Sequence, residues 1–309
     1  MKKYRYVKSN AFTSGESLGN PAACIFTGQE KLTPEQMQAI AAEHKGFVME
    51  VVFCSQSEVA DCKLTYYSSE CEVEFCGHGT IATMYTMVKE TPELIAKPVI
   101  TAETNRKGII EVFNAIKEED AVYITAPDPI EHPMNLSVTQ IEDALTLPHG
   151  SIRNDLPIRI IDAGLRTLLV PIADLETEIS VYPNEQSLKG FCENNDIDII
   201  LVFSKQTAHA SAYAHTRVFA PKFGYLEDPA TGSGNSAFAN YLLSEGLWEG
   251  EPITIEQGGN DCIFNLYPLY GVFHNLMFIR GITHNKVDIC AVSDVVQFVT
   301  KLENTIPSF

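Results

Sequence analysis

A short motif occurs twice in the 309-residue chain: residues 76–85 read CGHGTIATMY, and residues 231–241 read TGSGNSAFANY. Each copy has the form Gly-x-Gly, followed by a polar residue and then by small and aromatic residues that we predict to be helical. The copies lie about half the chain length apart, a spacing typical of an internal duplication. The sequence therefore predicts two equivalent lobes, each with a glycine loop at the N-terminus of a helix.

Such loops are suited to binding an anion. The N-terminus of a helix offers unpaired N–H groups and the positive end of the helix dipole, and glycine lets a ligand approach the backbone closely. Two helix N-termini facing one gap would hold a carboxylate, or the enolate formed when a proton leaves the adjacent carbon. Neither loop completes the dinucleotide motif Gly-x-Gly-x-x-Gly or the P-loop, so the sequence gives little support for phosphate binding.

The composition excludes several classes of partner. The chain has 22 Lys and Arg against 40 Asp and Glu, a net charge of −18. This charge repels nucleic acid and anionic membranes, so we expect neither as a partner. No apolar run approaches the length of a membrane span, and no apolar segment follows the basic start of the chain. We therefore expect a cytoplasmic protein whose partner is a small molecule.

The eight cysteines form no CxxC pair and no disulfide framework, so we expect them to be reduced. Only Cys76-Gly77-His78 approaches the spacing of a zinc site, and its glycines favour another use. We predict neither a metal nor a cofactor. Cys76 has two interpretations: a small buried residue, or an acid/base thiol whose pKa the helix N-terminus lowers. His78 lies inside the first loop, where it could bind a substrate carboxylate or relay a proton.

Local patterns predict the secondary structure. Thr33-Pro34-Glu35-Gln36 and Ser137-Val138-Thr139-Gln140 have the form of helix capping boxes, and a third helix is predicted from about Ser293. Short runs rich in Val, Ile, Tyr and Phe predict strands at residues 109–116, 121–126, 157–163, 167–172, 198–204, 213–219, 262–267 and 272–279. Three prolines in residues 127–133 deny the chain ladder hydrogen bonds, so we place the boundary between the lobes there. The predicted lobes are residues 1–128 and 129–289, with a C-terminal helix at 290–309 packing back on the first.

Residues 217–233 read RVFAPKFGYLEDPATGS and resemble the signature R-x-F-A-P-x-x-G-x-x-E-D-P-A-T-G-S of the phenazine biosynthesis PhzF-like family. The segments GNPAA (19–23), CGHGT (76–80) and DAG…LLVP (162–171) are similar to other family segments in the same order. The resemblance implies an α+β, diaminopimelate epimerase-like fold. Such a fold has two pseudo-symmetric lobes, each a curved mixed sheet wrapped around a central helix, with the active site between them.

The resemblance also implies an activity. Family members are isomerases that move a proton between carbons of a carboxylate-bearing substrate without a cofactor, and the characterised member isomerises a dihydro-hydroxyanthranilate. The acid/base glutamate of the family corresponds to Glu50, which lies among Val and Phe residues. His78 and Asp228 complete the predicted catalytic set. Substrate contacts are predicted from Asn20 and the two loops: Cys76, Gly77, Gly79, Thr80, Thr231, Gly232, Ser233 and Gly234.

The chain departs from the family pattern near these residues. Met49 and Val51 flank Glu50 where the family usually has Ser and Thr, and a surface glutamate is the alternative interpretation of Glu50. Asp228 precedes a proline and could simply start a turn. The later family pattern Q-G-x-x-x-x-R begins at Gln257, but Ile263 stands where the arginine would be.

Two other functions remain open. Residues 76–80 are even closer to the loop of proline racemase-like and hydroxyproline dehydratase-like enzymes, in which the cysteine is catalytic. Thr231 stands where two-thiol racemisation needs a second cysteine, which leaves dehydration as the compatible reaction. A two-lobed protein that binds a small acid without chemistry is the second alternative. A homodimer is expected from the family alone.

Overall fold

The computed structural model describes residues 3–13, 19–259, 265–273 and 276–281, the last two ranges as backbone strands. The strands of the N-terminal half are β1 (Arg5–Ala11), β2 (Asn20–Gly28), β3 (Glu50–Ser55), β4 (Cys62–Ser68), β5 (Glu72–Val73), β6 (Val99–Thr104), β7 (Gly108–Ala115) and β8 (Ala121–Thr125). Its helices are α1 (Pro34–Glu43), α2 (Gly77–Glu90), α3 (Pro92–Ile95) and α4 (Ile116–Glu119).

The strands of the C-terminal half are β9 (Ile130–His132), β10 (Arg159–Asp162), β11 (Arg166–Pro171), β12 (Ile199–Ser204), β13 (Ala214–Phe219), β14 (Glu227–Asp228), β15 (Ile253–Gln257), β16 (Asn265–Phe273) and β17 (Leu276–Gly281). Its helices are α5 (Val138–Leu145), α6 (Leu175–Ser180), α7 (Glu185–Asn194) and α8 (Gly232–Ser244), with a short 3-10 turn at Pro221–Phe223.

The two halves repeat one topology, as the duplicated motif predicts. The pairing order β1-β2-β3-β4-β6-β7-β8 has antiparallel and parallel steps in the same sequence as β10-β11-β12-β13-β15-β16-β17. In each half a two-residue strand, β5 or β14, precedes the central helix. The equivalent strands β8 and β17 pair antiparallel, with Ile124 opposite Ile279, and so join the two sheets.

Each sheet curves around its own helix. Helix α2 contacts β1, β2 and β3 at one end of its sheet and β8 at the other, which a flat sheet would not allow. Helix α8 likewise contacts β10, β11, β12 and β17. Both helices are buried over most of their surface, and their small residues, such as Ala82 and Ala239, let the strands pack closely on every side. The predicted α+β architecture of two pseudo-symmetric lobes is confirmed.

Most of the local predictions are confirmed too. Both capping boxes are present: Thr33 accepts a hydrogen bond from the Gln36 amide, and Ser137 accepts one from the Gln140 amide. The six predicted strands from residue 109 to residue 219 are present, with ends shifted by at most two residues. The helix predicted from Ser293 lies outside the described residues, and the lobe boundaries remain a prediction. Among the described residues, no helix is long and apolar enough to cross a bilayer.

Two local predictions are wrong in part. Within the proline-rich segment, Ile130–His132 does form a ladder with β10, because the prolines lie just outside these three residues and β9 is an edge strand. The predicted break between the last two strands, at residues 268–271, is also wrong. Strand β16 continues through Pro268 to Phe273, and residues 262–264 of the first run lie outside the described residues.

Candidate active site

The two glycine loops come together at the starts of α2 and α8. A Cβ atom added to Gly77 would lie 3.4 Å from the Cα atom of Gly232, so the two backbones are nearly in van der Waals contact. Cys76 is the N-cap residue of α2, and Thr231 is the N-cap residue of α8. The predicted meeting of two helix N-termini is confirmed.

The two N-caps use their side chains differently. The Cys76 Sγ accepts a hydrogen bond from the Gly79 amide at 3.3 Å, which caps α2. The Thr231 hydroxyl makes no cap hydrogen bond to α8 and donates to the carboxylate of Asp228 at 2.6 Å. The amides of Gly232, Ser233 and Gly234 are in the first turn of α8, where helix geometry provides no acceptor. The start of α8 thus directs amides toward the place where the lobes meet.

Glu50 is buried at the first residue of β3, with only 3% of its surface exposed. Its Oε1 accepts a hydrogen bond from the Tyr225 hydroxyl at 2.7 Å, and its Oε2 lies 3.1 Å from the His78 Nε2. Tyr225 belongs to the C-terminal half, whereas His78 belongs to α2. The interpretation of Glu50 as a surface residue is wrong, and its carboxylate lies between groups from both lobes.

Cys76 and His78 complete a compact group around Glu50. The Cys76 Sγ lies 3.9 Å from the Glu50 Oε2 and 3.6 Å from the His78 Nδ1. Burial raises the pKa of the Cys76 thiol, against the lowering expected at a helix N-terminus: the loss of hydration, to which Glu50 adds, outweighs the opposing effects of His78 and of the Gly79 amide. Burial alone would lower the pKa of His78, but Cys76 and Glu50 outweigh it and hold that pKa well above its ordinary value.

Asp228 is the second buried carboxylate of the site. Asn20 donates to its Oδ1 at 2.6 Å from the opposite lobe, and Thr231 donates to its Oδ2. Burial raises the pKa of Asp228 to about 7; nearby Glu50 adds to this rise, and His78 opposes it. A carboxyl group with this pKa can exist in either protonation state near neutrality.

Most of the predicted residues are at or beside the junction of the lobes, but Thr80 has other partners. Its hydroxyl donates to the Cys76 carbonyl at 2.7 Å and lies 2.8 Å from the Tyr66 hydroxyl. Gly79 has no room for a side chain, since an added Cβ would lie 2.8 Å from the Cys76 Sγ. Both residues therefore help to shape the first turn of α2.

Sequence reasoning missed two residues of the site. Tyr225 lies inside the quoted run 217–233, but nothing in that run indicates that its hydroxyl reaches Glu50, which is 175 positions away. Gln257 donates to the Asp228 carbonyl at 2.7 Å, and its own carbonyl accepts from the Asn235 amide group at 2.8 Å. The only signal for Gln257 was its place at the start of the half-present Gln-Gly pattern.

Arg217 explains part of the long motif. It forms a bidentate ion pair with Glu227, at 2.9 and 2.8 Å, and donates to three carbonyl oxygens at the end of α6, those of Glu178, Ile179 and Val181. Glu227 immediately precedes Asp228 on β14. The arginine therefore fixes the short strand that carries the second carboxylate.

Known proteins are similar to this sequence over most of its length. Residues 9–261 match the family model of phenazine biosynthesis-like proteins, PhzC-PhzF. The uncharacterized isomerase YfhB of Bacillus subtilis (strain 168) is 31% identical over 262 residues, which cover 84% of this chain and 87% of that protein. Trans-2,3-dihydro-3-hydroxyanthranilate isomerase of Pseudomonas fluorescens is 27% identical over 258 residues, which cover 82% of this chain and 86% of that protein.

A solved structure gives the same result for the fold. The crystal structure of a PhzF-family phenazine biosynthesis protein from Bacillus anthracis superposes with a TM-score of 0.76 at 24% sequence identity. The superposition covers 94% of this chain and 100% of that one.

Proposed function

The chain belongs to the phenazine biosynthesis-like PhzC-PhzF family and is an isomerase, and on this premise we propose that it moves a proton between two carbons of a small carboxylate-bearing substrate without a cofactor. Its fold is of the diaminopimelate epimerase type. The observation that carries the proposal is the buried Glu50 carboxylate, which lies beside the N-cap of α2 and is bound by groups from both lobes.

In this proposal Glu50 is the acid/base group. A carboxylate has about four lone-pair positions, so the contacts from Tyr225 and His78 and the long hydrogen bond from the Cys76 Sγ leave one that can accept a proton. Glu50 takes a proton from a carbon near the substrate carboxylate, and the electron pair of the broken C–H bond enters an enolate. The same carboxyl group then returns the proton to a second carbon as the double bond shifts, so no proton is lost overall.

The remaining residues stabilise the anion and orient the substrate. Amides at the starts of α2 and α8, from Gly77 and from residues 232–234, would hold the developing negative charge. His78 and Asp228 would bind or relay protons at the polar groups of the substrate. The burial of Glu50 and Asp228, 3% and 5% exposed, supports a site that excludes water while the carbanion exists.

Proton exchange in D2O tests the proposal. We would incubate the protein with trans-2,3-dihydro-3-hydroxyanthranilate, proline and 4-hydroxyproline in turn, and follow both conversion of the acid and deuterium incorporation by NMR, because a proton that Glu50 returns before it meets solvent gives conversion without deuterium. Glu50→Gln should slow conversion, and any exchange, at least about 100-fold, because an amide cannot accept the proton. Glu72→Gln is the matched control: Glu72 lies on β5, which β4 separates from the strand of Glu50, and it pairs with Arg106.

Three outcomes overturn the proposal. Exchange that survives in Glu50→Gln but is lost in Cys76→Ala would favour the racemase-like or dehydratase-like thiol enzyme, whose cysteine position Cys76 occupies. Tight binding of one of these acids with neither conversion nor exchange would favour a binding protein. Equal loss in Glu72→Gln would mean that the effect does not come from the site.

A further inference from the structure

The Glu50–Cys76–His78 group has the composition of a transition-metal site. Carboxylate, thiolate and imidazole are the three donor types that bind zinc in proteins, whereas Mg²⁺ and Ca²⁺ prefer oxygen ligands alone. Among the residues that the structure describes, these three form the one group of at least three His, Cys, Asp or Glu residues whose donor atoms converge, all within 4.8 Å of one another.

The distances between the donor atoms match those around one tetrahedral ion. Zinc–ligand bonds of about 2.0–2.3 Å place neighbouring ligand atoms of a tetrahedron about 3.3–3.6 Å apart. The Glu50 Oε2 lies 3.1 Å from the His78 Nε2, and the Cys76 Sγ lies 3.9 Å from each of these atoms. The Cys76 Sγ lies slightly closer to the His78 Nδ1, at 3.6 Å, so the imidazole must also turn about its Cβ–Cγ bond to direct the Nε2 lone pair at a centre shared with the other two donors.

Two of the three donors also have the outer hydrogen bonds that are found around metal ligands. Tyr225 donates to the Oε1 of Glu50, the oxygen that points away from the group, and the Gly79 amide donates to the Cys76 Sγ. Such outer hydrogen bonds fix the orientation of metal ligands. One carboxylate and one thiolate beside a neutral imidazole would balance a divalent ion, which removes the cost of two buried negative charges.

We propose that Glu50, Cys76 and His78 bind Zn²⁺ through three protein ligands, with the fourth position open to water or to a carboxylate. The ion would take the lone pair of the Glu50 Oε2 and that of the His78 Nε2. If the proposed function holds, the metal-loaded protein is therefore inactive, and zinc is a reversible inhibitor. The metal site itself does not depend on the reaction.

Direct metal binding tests the site without any substrate. The chelator-treated full-length protein should bind one Zn²⁺ per chain in equilibrium dialysis, and Co²⁺ should give the absorption bands of a tetrahedral site with a thiolate ligand. Cys76→Ser should weaken binding more than about 100-fold, beyond the effect of losing an outer-shell partner. Cys71→Ser is the matched control, because Cys71 lies outside the group and contacts Ser68.

The results distinguish zinc binding at this site from binding at other cysteines, and they test the site separately from the proposed reaction. No Zn²⁺ binding at micromolar concentrations, binding that is unchanged in Cys76→Ser, or Co²⁺ spectra without a thiolate band would each overturn the site. If Cys76→Ser does not fold by circular dichroism, Glu50→Gln removes a ligand from a different element and gives the same test. Stoichiometric zinc binding, together with a metal-free protein that shows neither conversion nor deuterium exchange, would leave the site standing and reject the isomerisation.

Discussion

Asp228 shows how strongly burial controls the chemistry of a single residue. Its carboxylate accepts hydrogen bonds from Asn20 and Thr231, which favour the charged form. Removal from water nevertheless dominates and raises its pKa to about 7. Cys76 follows the same rule, since its place at a helix N-terminus does not compensate for its burial. At these two groups desolvation therefore outweighs the hydrogen bonds, whereas at His78 the effects of Cys76 and Glu50 together outweigh desolvation and raise the pKa.

The pKa of Asp228 predicts a specific pH dependence of stability. Between its ordinary value of 3.8 and about 7, the folded protein holds a proton that the unfolded chain releases, so this carboxyl group makes the free energy of unfolding fall as pH rises through that range. The fall amounts to a few kcal/mol at most, because one pKa unit corresponds to about 1.4 kcal/mol. Asp228→Asn should abolish this part of the slope.

Urea unfolding at four pH values between 4.5 and 7.5 measures the effect as a difference between the variant and the parent protein. Asp128→Asn, at an exposed position between two prolines, is the control and should follow the parent at every pH. Parallel profiles for Asp228→Asn and the parent would contradict the assignment of this pKa.

The first turn of helix α2 packs closely only because Gly79 has no side chain. Gly79 lies between β3 and the Cys76 thiol, and an added methyl group would lie 2.7 Å from Val52 and 2.8 Å from the Cys76 Sγ. Helix α7 has a glycine in the opposite situation, since a methyl group on Gly190 would meet no atom within 4 Å. Replacing each glycine by alanine therefore distinguishes two effects on stability: steric overlap at Gly79, and the higher helix propensity of alanine at Gly190.

Gly79→Ala should lower the free energy of unfolding by about 1–3 kcal/mol, because Val52 and Cys76 must move to make room. Gly190→Ala should raise it by about 0.5–1 kcal/mol, because alanine favours the helix. Urea titrations of both variants provide the measurement. A Gly79→Ala protein as stable as Gly190→Ala would show that the α2 start is not tightly packed.

The whole molecule is held together across the junction of the lobes by hydrogen bonds that also build the site. Asn20, in the N-terminal half, donates to the carboxylate of Asp228 and to the carbonyl of Ala230. Tyr225, in the C-terminal half, donates to Glu50 in return. The β8–β17 ladder adds backbone hydrogen bonds. The site and the stability of the two-lobed arrangement therefore depend on the same residues.

Asn20→Ala should destabilise both lobes together. It leaves one buried carboxylate oxygen and one carbonyl without this donor, at a cost of about 2–4 kcal/mol. The one tryptophan of the chain, Trp248, is buried in the C-terminal half and reports on that lobe by fluorescence. In Asn20→Ala, the unfolding midpoint measured by Trp248 fluorescence should fall together with the midpoint measured by far-ultraviolet circular dichroism.

Asn105→Ala is the control, since Asn105 is exposed and bonds to Glu72 within the N-terminal half. This change should alter stability by less than about 0.5 kcal/mol. A Trp248 transition that stays in place while circular dichroism shifts in Asn20→Ala would mean that the lobes unfold independently.

Local and repeated signals predict the duplication and most of the elements, whereas the curved sheets around a central helix are implied by the family resemblance. The two Gly-x-Gly helix starts indicate the duplication, and the boxes at Thr33 and Ser137 fix two helix starts by contacts within four residues. The loops at residues 76–80 and 231–235 likewise identify where the site lies. A single sequence therefore predicts the helix starts and the position of the site better than it predicts the side-chain contacts within the site.

The remaining features depend on distant contacts. Tyr225 reaches Glu50 across 175 positions, and Asn20 reaches Asp228 across 208. The third donor beside Cys76 and His78 is Glu50, which is 26 residues before Cys76, so the pair alone did not indicate a metal site. The edge strand Ile130–His132 shows that prolines can flank a ladder without interrupting it.

The ladder between β8 and β17 has a consequence for how the chain is made. Residues 121–125 leave the ribosome long before residues 276–281, yet β8 has its second neighbour only when β17 arrives. Until then the nascent N-terminal half carries an exposed strand edge, to which another copy of the same strand can add. When the chain is synthesised at high concentration, we therefore expect incomplete chains to associate through the edge of β8 before β17 is made.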